Sequence, residues 1–131
     1  PIAGALARAE VADAEHWLAA GLTPLLNVLG SGSDIYAPAR QDAADTVLRF
    51  AGPAEVLRSG VLWEESGRQL AFKPFVVSRK QGRGLAIGFT ADPNFRAHLA
   101  GLNLVFFNAL FRAPAMVHDV SAGGQAEEAW R

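Results

Sequence analysis

Between Leu102 and Phe111 only Asn103 and Asn108 are polar. A helix on the surface of a globular protein carries one apolar stripe and one charged face, so a helix apolar all round must be covered on several sides. Leu102, Phe106 and Leu110 fall four residues apart and share one face, and Phe107 and Phe111 widen the apolar surface. The spacing predicts a helix over Leu99–Phe111 that serves the core, a contact with another domain or a contact with a second copy. The chain has 131 residues, enough for one domain with its own core. That leaves little material to cover such a helix.

The helix ends a longer pattern, GRGLAIGFTADPNFRAHLAGLNLVFFNALF, residues 82–111. It reads as a tight turn, an apolar strand, a polar loop and the apolar helix. Phe75–Arg79 and Leu85–Thr90 read as paired strands. Glycine in the linker Lys80–Gly84 supplies the positive φ that a hairpin needs. Upstream, residues 3–19 are Ala-rich and read as helix by propensity. In that reading Asp13 caps a last short piece carrying Trp17 and Leu18, and Gly21 stands just past its end. Leu25–Leu29 and Asp45–Ala51 read as strands, Pro53–Arg58 as one helical turn, and Glu64–Ala71 as a short helix stopped before Pro74. From Ala113 the chain is expected to be a flexible tail, residues 114–131, containing Gly123-Gly124. No internal repeat or domain boundary interrupts residues 1–131.

Composition narrows the function classes. Half of the residues are hydrophobic and 19% are charged, the balance of a folded chain. A net charge of −1 without a basic stripe argues against nucleic acid, whose phosphates call for clustered Lys and Arg. No apolar run reads as long enough to span a bilayer. The chain opens on Pro1 rather than Met and is read as part of a longer polypeptide, from which a targeting segment can have been removed. Cysteine is absent, so a thiolate nucleophile, a disulfide and Cys-ligated zinc are all excluded.

Few residues are placed to carry chemistry. His16, His98 and His118 show no metal-ligand spacing. There is no G-x-S-x-G nucleophile elbow, and Gly30–Asp34 lacks the Lys and the following helix of a phosphate loop. The sharper candidates are Asp92, Asn94 and Arg96. Alternate polar residues after a strand can converge on a ligand, and Arg96 can clamp a carboxylate in a bidentate way. They have an equally physical structural reading. Asp92 can fold the turn at Pro93, Asn94 can cap the next helical turn, and Arg96 can pair with Asp92, Glu64 or Glu65. Glu64, Glu65 and Arg68 beside Trp63 read as a solvated helix face.

SGVLWEESGRQLAFKPFVV, residues 59–77, followed by residues 82–111, resembles the C-terminal region of bacterial zinc-carboxypeptidase-like proteins. These carry a class I glutamine-amidotransferase-like domain after the peptidase module. EHWLAAGL, residues 15–22, and GSDIYAP, residues 32–38, are similar to the same region. The resemblance covers roughly residues 10–113, and residues 82–111 are its most specific part. It implies an α/β fold, a Rossmann-like sheet with flanking helices of which this chain is a portion, and a periplasmic or secreted setting. It also subtracts function. Amidotransferase chemistry needs a Cys that this chain lacks, and the strand Leu85–Thr90 is followed by no His until His98. The resemblance implies a non-catalytic accessory or interaction domain with no metal and no cofactor. Its partner would be a peptidase module of the same parent chain, a second copy, or both. The alternative is a module that binds a small ligand or a peptide carboxylate through Asp92, Asn94 and Arg96.

Overall fold

Ile2–Val11, helical by propensity, is a strand, and it is the one around which the sheet is built. In the computed structural model, which describes residues 2–40 and 43–125, with backbone alone for residue 3 and residues 118–125, β1 spans Ile2–Val11. Ala5, Ala7 and Ala9 are buried, while Leu6, Arg8 and Glu10 between them are half-buried. That period of two belongs to a strand. Tertiary pairing overrides the helix propensity of alanine here, as it often does. One edge of β1 pairs with β2, Leu25–Gly32. The other edge pairs with β3, Asp45–Phe50, near Ala9–Val11 and with β4, Leu57–Gly60, near Ala5–Ala7. Alanine suits so crowded a position. A Cβ added at Gly60, whose φ is +97°, would stand 3.3 Å from the Ala5 Cα.

β5, Pro74–Gln81, lies on the outer side of β3, and β6, Gly84–Phe89, closes that edge. Every pairing among the described strands is antiparallel, in the order β2-β1-β3-β5-β6 with β4 on β1. The sheet is an antiparallel half-barrel with one long C-terminal helix, and this corrects the expected Rossmann-like α/β class. A parallel sheet needs a crossover of a dozen or more residues between neighbouring strands, usually a helix. Here β5 and β6 are joined by a tight turn at Gly82-Arg83. Among the described residues the other α-helix is α1, Glu64–Leu70, a short segment between β4 and β5. An amidotransferase-like, Rossmann-like architecture is therefore not the fold of this chain.

The core gathers side chains from the sheet, the 3-10 turn, α1 and the last helix. Leu18, Val28, Val47, Phe75, Val76, Leu102 and Val105 are fully buried. Phe50 meets Phe75 edge-on with ring centroids 5.3 Å apart. Leu18 belongs to a single turn of 3-10 helix, Trp17–Ala19, capped by His16 rather than by Asp13. The Asp13 carboxylate instead accepts the Glu15 N–H at 3.1 Å.

α2 spans Ala100–Gln125, with Pro114 inside it. It continues beyond the Phe111 end that the sequence suggests. Of the expected tail, residues 114–125 are thus helical in backbone and 126–131 lie outside the described residues. α2 packs on the 3-10 turn, β2 and β6. Gly101 permits the close approach to β2, since a Cβ there would stand 2.6 Å from Leu26 Cδ2. Leu102, Val105 and Asn108 face the protein. Asn108 Nδ2 donates to the carbonyls of Leu18 at 3.1 Å and Ala20 at 2.9 Å. The helix is therefore bolted to the 3-10 turn by an amide, in a sequence where almost every neighbour is apolar.

Candidate functional site

The loop after β6 is where the sequence places Asp92, Asn94 and Arg96. All three side chains are exposed. Asp92 Oδ1 accepts the Asn94 N–H at 2.8 Å, which folds the turn at Pro93. Asn94 is six residues ahead of α2, too far to cap it. Arg96 has φ +51°, Ala97 has φ +55°, and the Arg96 guanidinium lies 5.4 Å from the centroid of the Phe95 ring. Among the described residues Arg96 pairs with no carboxylate. Glu64 pairs instead with Arg68 at 3.4 Å along α1, and Glu65 accepts from Gln69 at 3.3 Å. The loop thus satisfies itself locally, through the Asp92 turn and the Arg96–Phe95 contact.

A cavity of about 460 Å³ opens elsewhere, between the 3-10 turn, the start of β3, the β5–β6 hairpin and α2 near Met116. Strand parity builds its wall. Val76, Ser78 and Lys80 alternate along one face of β5, which begins as core at Val76, is still buried at Ser78 and is exposed at Lys80. Leu85 stands opposite Lys80 on β6, and Asp45 of β3 stands opposite Ser78. His16, Trp17, Arg83, Met116 and Val117 complete the lining. Reading Lys80–Gly84 only as a turn concealed this wall. The alternation Val76, Ser78, Lys80 is the signal that reveals it.

Ser78, His16 and Asp45 are the residue types of a nucleophilic triad, and the hydrogen bonding of His16 speaks against one. His16 Nδ1 accepts the Leu18 N–H at 3.1 Å. In the neutral ring the proton therefore sits on Nε2. A triad requires the opposite arrangement, with Nδ1–H donated to the carboxylate and Nε2 free to take the serine proton. Burial lowers the His16 pKa from its ordinary 6.5, against the opposing pull of Asp13 and Asp45. His16 is thus a capping group kept neutral, part of the wall rather than a base.

That shift has a sign that can be measured. The folded chain holds the His16 proton more weakly than the unfolded chain. The stability tied to neutral His16 is fully present above the unfolded value near 6.5 and is lost as the pH falls below it. Chemical denaturation at about pH 7.5 and about pH 5 is expected to show a larger loss for the native chain than for His16→Gln. Equal losses would contradict this account of His16.

The third feature is the outward face of α2. Leu104, Phe107, Leu110 and Phe111 are 37%, 51%, 53% and 77% exposed. Phe107 stacks on Phe111 with centroids 6.1 Å apart, and Phe106 stands 6.4 Å from Phe107. By length and composition the 18-residue window Ala100–Val117 is able to cross a membrane, contrary to the sequence reading. In this fold its other side is committed to the body of the protein, through buried Leu102 and Val105 and through the bond of Asn108 to the 3-10 turn. Comparison with protein-family models, with curated proteins and with solved structures finds no match. The functional reading therefore rests on the geometry and on the resemblance of the sequence described above.

Proposed function

We propose that this chain is a non-catalytic interaction domain that docks through the outward face of α2. The observation that supports the reading is the row Leu104, Phe107, Leu110 and Phe111, apolar, contiguous and uncovered. Large contiguous apolar patches are uncommon on monomers, and aromatic side chains are enriched at protein interfaces. The resemblance to carboxypeptidase-like chains makes a peptidase module of the same parent chain the natural partner. In its absence a second copy takes the same face.

A protein surface fits this face better than a lipid surface. Helices that lie on bilayers carry Lys and Arg along their polar face. From Ala100 to Val117 the only charged residue is Arg112.

Light scattering across a concentration series tests the reading. The purified chain is expected to self-associate as its concentration rises, and Phe107→Ser with Phe111→Ser to leave it monomeric with its thermal stability intact. A strict monomer at high concentration would overturn the reading. Flotation with phosphatidylcholine vesicles that depends on Phe107 and Phe111 would overturn it in favour of a membrane contact.

A further inference from the structure

We propose that the cavity beside the β5–β6 hairpin binds a small organic carboxylate with an apolar or aromatic body. Its volume of about 460 Å³ lies in the range of small-molecule sites, which combine apolar walls with a few placed polar groups. Both parts are present. Trp17, Leu85, Met116 and Val117 supply the apolar wall, and Lys80 and Arg83 stand at the hairpin end.

Neither cation has a carboxylate partner among the described residues. Lys80 owes its position to parity, for it follows buried Val76 and Ser78 along the core-facing side of β5. β3 begins at Asp45, opposite Ser78, so at Lys80 β5 is paired with β6 alone, and the ammonium stands at the open end of the cavity wall. The charge count selects the ligand. Lys80 and Arg83 together with Asp45 leave one net positive charge on the lining, with His16 neutral. That suits a monoanion better than a phosphate dianion. The planar guanidinium of Arg83 offers two parallel donors to a carboxylate, and the Lys80 ammonium adds a point charge. The site is independent of the α2 docking face, since neither Phe107 nor Phe111 lines it.

The test is a titration of the nitrogen-15-labelled chain with sodium 3-phenylpropionate, followed by amide shifts. 3-Phenylpropanamide serves as the uncharged analogue and phenyl phosphate as the dianion. Saturable shifts are expected at Trp17, Ser78 and Leu85 with the carboxylate, and binding roughly tenfold weaker with the amide. Lys80→Gln and Arg83→Gln alter exposed side chains and are each expected to weaken binding by roughly tenfold with the spectrum otherwise preserved. Arg79→Gln, on the opposite face of β5, is expected to leave it unchanged. No saturable shift up to about 10 mM, equal binding of the amide, tighter binding of phenyl phosphate, or indifference to both cation variants would each overturn the proposal.

Discussion

Phe75→Ala is expected to cost about 3–5 kcal/mol of folding stability, the range for emptying a packed aromatic site. Phe75 heads the fully buried side chains by size. It sits on β5, between β3 and β6, and forms a T-shaped pair with Phe50, ring centroids 5.3 Å apart. Removing it deletes apolar contact area and an aromatic pair together, in a place where the surrounding strands are hydrogen-bonded on both sides and collapse poorly into the void. Domains of this kind hold about 5–15 kcal/mol in total, so the variant forfeits a large share. Urea denaturation measures the change, and Phe75→Leu, which keeps most of the volume, is expected to lose less. A loss below about 1 kcal/mol for Phe75→Ala would mean that the core is centred elsewhere.

Asn108→Ala is the second large effect, expected at about 2–4 kcal/mol. One side-chain amide serves two carbonyls, those of Leu18 and Ala20. Its removal leaves both without that donor under the helix, and an unsatisfied buried acceptor costs more than a hydrogen bond is worth. Asn103 makes a comparable but exposed bond to the Ala97 carbonyl at 3.3 Å. Asn103→Ala is therefore expected to cost well under half as much. The same amide has a functional consequence. By pinning α2 to the 3-10 turn it fixes the rotation of the helix, and so turns Phe107 and Phe111 outward. Amide exchange in residues 100–112 should accelerate in Asn108→Ala more than in Asn103→Ala. Equal stability of the two variants would show that α2 is held by its apolar contacts alone.

Local pattern made parts of this fold legible. Leu25–Leu29, Asp45–Ala51, Phe75–Arg79 and Leu85–Thr90 are strands within a few residues, and the hairpin between the last two is present. Glu64–Ala71 is the short helix α1, ending just before Ala71. The error that changed the fold class lay in residues 3–19. Alanine favours helix when nothing else decides, but here the alternation of Ala5, Ala7 and Ala9 with larger residues serves a crowded central strand. Once that segment is a strand, no α-helix among the described residues lies between neighbouring strands to carry a parallel crossover, and the sheet is antiparallel.

The orientation of α2 was illegible for a different reason. Leu102, Phe106 and Leu110 share a stripe by spacing, yet Leu102 is buried and Leu110 is exposed. A helix apolar on every side offers no contrast to orient it. Its buried side is selected by the missing side chain of Gly101 and by the amide of Asn108. Of the site, the Asp92 turn was readable because an Asx turn is local in sequence. The cavity was not, because its walls come from segments as far apart as His16 and Met116. Only the fold brings them together.

The central claim, that the outward face of α2 is a docking surface, is tested most directly by photo-crosslinking from that face. A photoreactive phenylalanine analogue is placed at Phe111, 77% exposed, and in a control at Val61, 71% exposed in the segment before α1. Irradiation of the purified chain is expected to give a covalent dimer from position 111, with the crosslinked peptide drawn from residues 100–117 of the second copy. The control at position 61 should remain monomeric. No dimer from position 111, or equal yields from both positions, would contradict the account.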